Sequence, residues 1–168
     1  MEEHETIPSL EQPRESYFLS PGDAGRSRLH LLHAVYGPST EALLTAIGLH
    51  AGMRVVDIGC GIGSVTIWLA QHVGSTGQVV GVDMSAAQLE VARQEAATLG
   101  VTNVVWHEAS AYAPGLPPAT FDFVYCRFLL EHLTAPEAAL RAMDALLKPG
   151  GLLVCEALDV ASLTTDPP

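Results

Sequence analysis

The sequence predicts one α/β domain whose sheet is doubly wound and mostly parallel. From Gly52 onward, short apolar segments alternate with stretches in which apolar residues recur at helical spacing. Within the short segments the apolar residues are nearly continuous, which is typical of strands covered by helices on both faces. A chain of 168 residues suits one such domain, and on folding it removes about 70% of its extended-chain surface from water.

Five segments are predicted as strands, and three stretches between them as helices. The strand segments are RVVDIG, QVVGVD, NVVWHE, FDFVYC and GLLVCE. The apolar helical faces are Val65, Trp68 and Leu69, then Leu89, Ala92, Ala96 and Leu99, then Leu140, Met143 and Leu147. Two capping boxes, Ser85 with Gln88 and Thr134 with Glu137, predict helix starts. The Lys-Pro-Gly-Gly run at 148–151 predicts the end of the last helix.

The chain before this alternating pattern divides into two parts. Residues 1–16 are acidic and poor in large apolar side chains, so we expect a disordered tail. Residues 17–50 carry two helical patterns, one from Leu29 to Tyr36 and one from Glu41 to Ile47. Residues 51–168 then form the ligand-binding domain.

Charge and composition exclude several classes of partner. Eight basic and nineteen acidic residues give a net charge of -11, which repels phosphate backbones and disfavours nucleic acid. No apolar stretch approaches the roughly 20 residues that span a bilayer, so no membrane association is expected. Cys60, Cys126 and Cys155 are odd in number and form no CxxC pair, which indicates free thiols in a cytoplasmic protein.

The loop after the first predicted strand, residues 57–63, lies where such a sheet binds its ligand. Gly59, Gly61 and Gly63 place no β-carbon in the way of a ligand, and the amides that open the next helix can hold an anion. NAD proteins also carry a glycine loop, but their fingerprint has Gly or Ala where this chain has Ser64. The Asp57 carboxylate repels a pyrophosphate and attracts a cationic ligand with an amino group, such as S-adenosylmethionine.

The second predicted strand ends at Asp83, which is placed to accept hydrogen bonds from both hydroxyls of a ribose. In order and spacing, VVDIGCGIG, VVGVDMS, FDFVYCRFLLEHL and LKPGGLLVCE resemble the motifs of class I S-adenosylmethionine-dependent methyltransferases. The resemblance runs from about Gly52 to Glu156, and it is strongest to small-molecule enzymes of the ubiquinone/menaquinone-biosynthesis kind. It implies a Rossmann-like sheet of strand order 3-2-1-4-5, here without the usual sixth and seventh strands. It also implies methyl transfer to a small-molecule acceptor, with S-adenosylhomocysteine as product.

The resemblance also implies roles for individual residues of the loop and of the second strand end. Asp57, Gly59, Cys60 and Gly61 would line the methionine end of the cofactor. Asp83 would take the ribose, and Met84 would pack on the adenine.

The ends of the third and fourth strands carry further implied contacts. The family often has Gly-Asp-Ala after the third strand, whereas this chain has Ala109-Ser110-Ala111. The Ser110 hydroxyl or the neighbouring amides would then replace the Asp that accepts the adenine amino group. The backbone carbonyl of Cys126 or Arg127 would face the ammonium of the cofactor.

Methyl transfer from a sulfonium depends mainly on alignment, which supplies roughly 7–11 kcal/mol, and needs a base only if the acceptor loses a proton. Glu131 and His132 are the candidates, because a Glu-His pair at this point borders the substrate pocket in some relatives. His132 is suited to removing a phenol or hydroxyl proton at neutral pH. In the other interpretation both residues merely cap and pack the short helix after the fourth strand.

An N-terminal helix often folds over the cofactor in this family and uses a Tyr or an Arg there. Tyr17, with Arg26 or Arg28, is the candidate for such a lid in this chain. The alternative is that Tyr17 is an amphipathic anchor and that the arginines are solvated.

The cysteines and the fifth strand each allow more than one interpretation. The cysteines near neighbouring strand ends suggest an arsenite or soft-metal site, but the strand-four cysteine of arsenite methyltransferases would align with Phe128, so we predict no metal. An exposed fifth-strand edge indicates either a fragment or a homodimer that covers the edge.

Two functions other than methyl transfer stay open at this point. One is a module that binds the cofactor without transferring its methyl group, and the other is an NAD-dependent oxidoreductase.

Overall fold

The computed structural model describes residues 23–158, with side chains described from Gly25 onward. The predicted acidic tail and Tyr17 therefore lie outside the described residues, as does the chain from residue 159. Among the described residues, no helix has the length and apolar character needed to cross a membrane.

Five parallel strands form one sheet in the described part of the chain, in the order β3-β2-β1-β4-β5. This confirms the predicted fold class and strand order. The strands are β1 (Arg54–Ile58), β2 (Gln78–Asp83), β3 (Val104–Glu108), β4 (Phe121–Arg127) and β5 (Leu147–Glu156). In the central strands β1 and β2, every residue after the first is buried, because helices or loops cover both faces of the sheet.

In residues 23–158 the structure contains four α-helices and one short 3-10 helix, of which the first precedes the sheet and the others lie between strands. They are α1 (Asp23–Ala46), α2 (Ser64–Val73), α3 (Ala86–Thr98), the 3-10 helix Leu130–His132 and α4 (Pro136–Asp144). On one face of the sheet, Leu44 of α1 and Leu69 of α2 pack with Val55 and Phe123. On the other face, Met143 of α4 is among the residues that pack on the sheet. The core is therefore split into two layers, one on each face.

Residues 23–46 form a single helix and not the two helices that the sequence predicted between Leu29 and Ile47. Pro38 lies inside α1, where it lacks the N–H that would bond to the carbonyl four residues earlier. The helix nevertheless continues, because Thr40 and Leu44 in its second half are buried against the sheet. Tertiary packing thus outweighs the local cost of the proline.

The two predicted capping boxes have different outcomes. The Ser85 hydroxyl accepts a hydrogen bond from the Gln88 amide at 3.4 Å, so this N-cap is confirmed. The reciprocal bond is not formed, since the Ser85 amide donates to Asp83 Oδ1 at 2.9 Å. The Thr134 prediction is wrong, because Ala135 precedes α4 and makes no side-chain cap. The Tyr112 hydroxyl accepts the Ala135 amide hydrogen at 3.1 Å instead.

The predicted boundary between the last helix and β5 also needs correction. Helix α4 ends at Asp144, and β5 already begins at Leu147, so the Lys-Pro-Gly-Gly run lies within the strand. Leu147 pairs with Phe121 of β4, and the register then shifts so that Leu152 pairs with Phe123. This irregularity lets the strand accommodate the run. Leu99, predicted on the buried face of α3, is 59% exposed because it follows the last helical residue.

Candidate functional site

A cavity of about 370 Å³ opens at the edge of the sheet where the carboxyl ends of β1, β2 and β4 meet. Its volume falls in the range of roughly 300–1,000 Å³ that is usual for small-molecule sites. The loop after β1, the ends of β2 and β4, the 3-10 helix and part of α1 form its walls. This is the position at which parallel α/β sheets bind ligands.

Most residues that the sequence singled out line this cavity, although they are far apart in the chain. They are Arg28, Asp57, Gly59, Cys60, Gly61, Asp83, Met84, Ala111, Arg127, Glu131 and His132. The fold therefore brings the predicted glycine loop, both aspartates and the predicted catalytic pair to one place.

Three predicted site residues do not line the cavity. Gly63 packs instead against the helix–sheet layer, where an added Cβ would lie 2.5 Å from the Trp106 ring. The Ser110 hydroxyl accepts a hydrogen bond from the Tyr112 amide at 3.1 Å, within a local turn. The Cys126 side chain is fully buried in the core layer that α4 covers.

The loop after β1 is held against β2 by its own backbone. The amides of Gly59 and Cys60 both donate to the Val82 carbonyl, at 2.7 and 2.9 Å. Gly61 has a positive φ of 57°, and a Cβ there would lie 3.2 Å from the Gln88 side-chain oxygen. A side chain at this position would be strained and would fill the space beside the loop.

Asp83 connects this loop to the start of α3. Its carboxylate is 4% exposed. Oδ2 accepts a hydrogen bond from the Gly61 amide at 2.8 Å, and Oδ1 accepts one from the Ser85 amide at 2.9 Å. The position of the glycine loop therefore depends on a buried negative charge at the end of β2.

Asp57 is the second buried carboxylate of the cavity and is 3% exposed. Its Oδ2 accepts a hydrogen bond from the Thr66 hydroxyl at 2.6 Å. Burial raises the pKa of Asp57 to about 6, and the Asp83 charge adds to this rise. The Thr66 hydrogen bond and the Arg127 guanidinium act in the opposite direction on that pKa. A cationic ligand would add to the stabilisation of the two carboxylates in their charged forms.

The three cysteines do not gather at the cavity. Cys126 pairs in register with Cys155 on β5, and a hydrogen bond between the two thiols together with burial raises the pKa of Cys126. Burial and the nearby aspartates raise the pKa of Cys60, so its thiol stays protonated. Within residues 25–158 no group of three or more His, Cys, Asp or Glu side chains is placed to hold a metal ion.

Comparison with known proteins then decides the family. The profile of the methyltransferase domain family matches residues 49–166, most of the chain. This chain belongs to that methyltransferase family. Demethylmenaquinone methyltransferase from Staphylococcus aureus is 38% identical over 115 residues, which are 68% of this chain and 47% of that protein.

Two further relatives agree with this assignment. Ubiquinone/menaquinone biosynthesis C-methyltransferase from Escherichia fergusonii is 40% identical over 111 residues, which are 65% of this chain and 44% of that protein. The crystal structure of a SAM-dependent methyltransferase from Aquifex aeolicus superposes with a TM-score of 0.65 at 30% identity, covering 68% of this chain and 61% of that one. The chain thus spans less than half the length of the two curated relatives.

The cavity of this methyltransferase domain fits S-adenosylmethionine on two independent observations. Gln88 Oε1 is buried without a hydrogen-bond partner among the described residues, and so offers an acceptor to an N–H or O–H group of a ligand. Helix α2 begins at Ser64 without a side-chain cap, which leaves its first amides for a carboxylate.

Sequence reasoning did not assign several cavity residues of the methyltransferase domain to the site. Tyr125 lies two residues before Arg127 on β4, so the two-residue strand period was the signal that both share a face. The Leu129 side chain packs close to Gly59, and a Cβ on that glycine would lie 3.0 Å from it. Only the folded chain reveals this contact. For Gln88 the sequence predicts only a role in helix capping.

The raised pKa of Asp57 predicts opposite pH trends for stability and for cofactor binding. Its folded pKa of about 6 exceeds the ordinary 3.8, so the folded domain holds the proton more tightly than the unfolded chain does. This contribution to stability is fully present below about pH 4 and is lost as the pH rises through about 6. Because a cationic cofactor favours the ionised carboxylate, the affinity for S-adenosylmethionine is expected to rise over the same interval.

Calorimetric titration at several pH values between 5 and 7 measures this trend. The Asp57→Asn variant, which carries no charge at any pH, is expected to lose most of the rise. An equally steep rise in that variant would show that another group is responsible.

Proposed function

We propose that this chain is an S-adenosylmethionine-dependent methyltransferase that acts on a quinol-type small molecule. The observation that carries the proposal is the cavity in which Asp57, Asp83 and the glycine loop meet. The substrate class comes from the names of the relatives, which act in menaquinone and ubiquinone biosynthesis.

The residues of the cavity divide the work of holding the cofactor. When bound, S-adenosylmethionine supplies an electrophilic methyl group on a sulfonium. Asp57 and the loop after β1 would hold the methionine end, and the first amides of α2 would take its carboxylate. Asp83 and Met84 would hold the ribose and the adenine. The enclosing walls keep donor and acceptor aligned, which is the main catalytic requirement of this reaction.

Calorimetry with S-adenosylmethionine and S-adenosylhomocysteine tests the binding half of the proposal, and methyl transfer from labelled cofactor to a demethylated naphthoquinol tests the other half. Binding together with transfer is the expected result. Binding without transfer to any quinol, phenol or amine acceptor would leave a cofactor-binding module. Absence of cofactor binding would overturn the proposal.

His132, with Glu131, is proposed to remove a proton from the acceptor. Both side chains line the cavity, while they also form the short 3-10 helix. If the acceptor must lose a proton, His132→Gln is expected to lower kcat about 100-fold with little change in cofactor affinity. Steady-state kinetics with the naphthoquinol measure this, and an unchanged kcat would leave both residues with a packing role.

The N-terminal region is proposed to cover the cofactor. In support, Arg28 on α1 lines the cavity, while Tyr17 lies outside the described residues. Arg28→Ala and Tyr17→Phe are each expected to weaken cofactor binding several-fold by calorimetry. Unchanged cofactor affinity in both variants would contradict the proposal that the N-terminal region covers the cofactor.

Two broader proposals concern assembly and location. In the described residues β5 is an edge strand, and Leu152 on it is 42% exposed. Such an edge favours pairing with a second copy of the chain, so a dimeric mass is expected by light scattering, and a monomeric mass would count against it.

The three free thiols favour the cytoplasm, a proposal that fractionation of cells would test.

A further inference from the structure

The Arg127 side chain, the last of β4, lines the cavity and is half-buried there. Its Nη1 donates a hydrogen bond to the Thr40 hydroxyl of α1 at 3.1 Å. Its guanidinium carbon lies over the Phe128 ring, 5.3 Å from the ring centroid. The cation is therefore held from two sides.

The Thr40 hydroxyl is itself fixed. It is 1% exposed and donates to Glu156 Oε2 at 3.1 Å, while Tyr125 donates to Glu156 Oε1 at 2.5 Å. Both carboxylate oxygens of Glu156 thus accept hydroxyl hydrogen bonds. The chain of hydrogen bonds runs from Arg127 through Thr40 to Glu156, and so fixes the guanidinium from the β5 side.

No carboxylate lies within 4.0 Å of Arg127 in the part of the chain that the structure describes, and Thr40 provides the one acceptor found there. A guanidinium carries five N–H donors in a fixed fork, and in the described residues the bond to Thr40 uses one of them. The Glu156 carboxylate lies one hydroxyl away, beyond Thr40, and so does not take the other donors. Arg127 therefore offers donors to whatever occupies the cavity.

The backbone next to Arg127 indicates that this position is held against a local cost. Phe128 has a positive φ of 53°, a left-handed conformation that costs a non-glycine residue about 1–2 kcal/mol. Its ring packs edge-on against Tyr36 of α1, with the ring centroids 5.1 Å apart. Strained residues of this kind cluster at ligand sites.

We propose that the Arg127 side chain binds a carboxylate or phenolate oxygen of a ligand in the cavity, and that Thr40 is the residue that positions it. This inference rests on the proposed function and adds to it the chemistry that the cavity recognises. The oxygen belongs either to the acceptor or to the methionine end of the cofactor. The unused N–H groups of Arg127 would form charge-assisted hydrogen bonds with such an oxygen.

Calorimetry on the whole chain with four probes separates the two sources. S-adenosylhomocysteine carries the methionine carboxylate, and 5′-methylthioadenosine lacks it. In protein saturated with S-adenosylhomocysteine, 1,4-naphthoquinol offers an ionisable hydroxyl, and its dimethyl ether does not. The variants are Arg127→Gln and, as a matched control, Arg141→Gln, since Arg141 on α4 has a side chain that is 74% exposed.

Arg127→Gln is expected to weaken the binding of either S-adenosylhomocysteine or 1,4-naphthoquinol at least about ten-fold. The binding of the matching probe without the carboxylate or hydroxyl is expected to stay unchanged. Loss confined to S-adenosylhomocysteine assigns the oxygen to the cofactor, and loss confined to the naphthoquinol assigns it to the acceptor. Either result supports the proposal. If Arg127→Gln binds all four probes as Arg141→Gln does, the proposal is overturned.

Thr40 provides a second route that leaves the arginine in place. Thr40→Val is expected to lower the affinity for the same probe about three-fold. Thr40→Ser, which keeps the hydroxyl, is expected to bind that probe as tightly as the unaltered chain does. Equal effects of both variants on all four probes would reject the positioning role. If the unaltered chain binds no S-adenosylhomocysteine, the proposed function fails; if it binds and only the Arg127 effect is absent, this inference alone fails.

Discussion

Replacing Asp83 by alanine is expected to weaken the binding of S-adenosylmethionine about 100-fold or more. The carboxylate accepts the Gly61 amide at 2.8 Å and the Ser85 amide at 2.9 Å, and it lines the cavity. Hydrogen bonds to a charged group contribute about 1.5–3 kcal/mol each, and every 1.4 kcal/mol is a factor of ten in affinity. The variant would lose both the position of the glycine loop and the acceptor that we propose for the cofactor ribose.

Calorimetry measures this loss, and Asp122→Ala is the matched control. Asp122 also accepts a backbone hydrogen bond, from the Arg54 amide at 2.8 Å, but near the opposite end of the same sheet. The control is expected to lower the melting temperature by a few degrees and to leave the cofactor affinity unchanged. Equal losses of affinity in both variants would mean that general destabilisation, and not the site, is being measured.

Replacing Gly63 by alanine is expected to lower the free energy of unfolding by about 2–4 kcal/mol. The new Cβ would lie 2.5 Å from the Trp106 ring and 2.9 Å from the Ala92 Cβ, at a φ of 80°. Overpacking of the layer between α2, α3 and β3 thus adds to the strain of a left-handed backbone. Thermal denaturation is expected to show a melting temperature lower by roughly 5–10 °C.

Gly100→Ala separates the two causes. Gly100 follows the C-cap of α3 with a positive φ of 69°, and a Cβ there would meet nothing within 4 Å. Its amide donates to the Ala97 carbonyl and the next amide donates to the Ala96 carbonyl, the bonds of a left-handed helix C-cap. Its cost is therefore conformational strain alone, about 1 kcal/mol. A Gly63→Ala variant no less stable than Gly100→Ala would contradict the packing role given to Gly63. A folded Gly63→Ala variant is expected to bind cofactor within a few-fold of the unaltered chain, since Gly63 does not line the cavity.

Much of the site was predictable because local signals point to it. Asp57 lies one residue before the end of β1 and Asp83 ends β2, and parallel strands bring their carboxyl ends to one edge of the sheet. The glycines of the loop mark a backbone with positive φ, as Gly59 and Gly61 have. These features depend on a few neighbouring residues and on the general geometry of an α/β sheet.

The surroundings of Arg127 were not predictable in the same way. Its contact with Thr40 spans 87 residues of sequence, and the bond from Thr40 to Glu156 spans 116. No periodicity relates α1 to the ends of β4 and β5. The environment of this arginine therefore appears only when the three elements are packed together.

The sequence by itself determined the α/β class and the loop with its two carboxylates, because hydrophobic period and glycine placement act over short distances. The strand order followed from the resemblance of its motifs to those of class I methyltransferases. Only the tertiary structure decided that α1 continues through Pro38, that β5 begins at Leu147, and that Gly63 serves packing. The physical reason is that burial of distant side chains against the sheet contributes more free energy than the local preferences of proline, glycine or a capping residue.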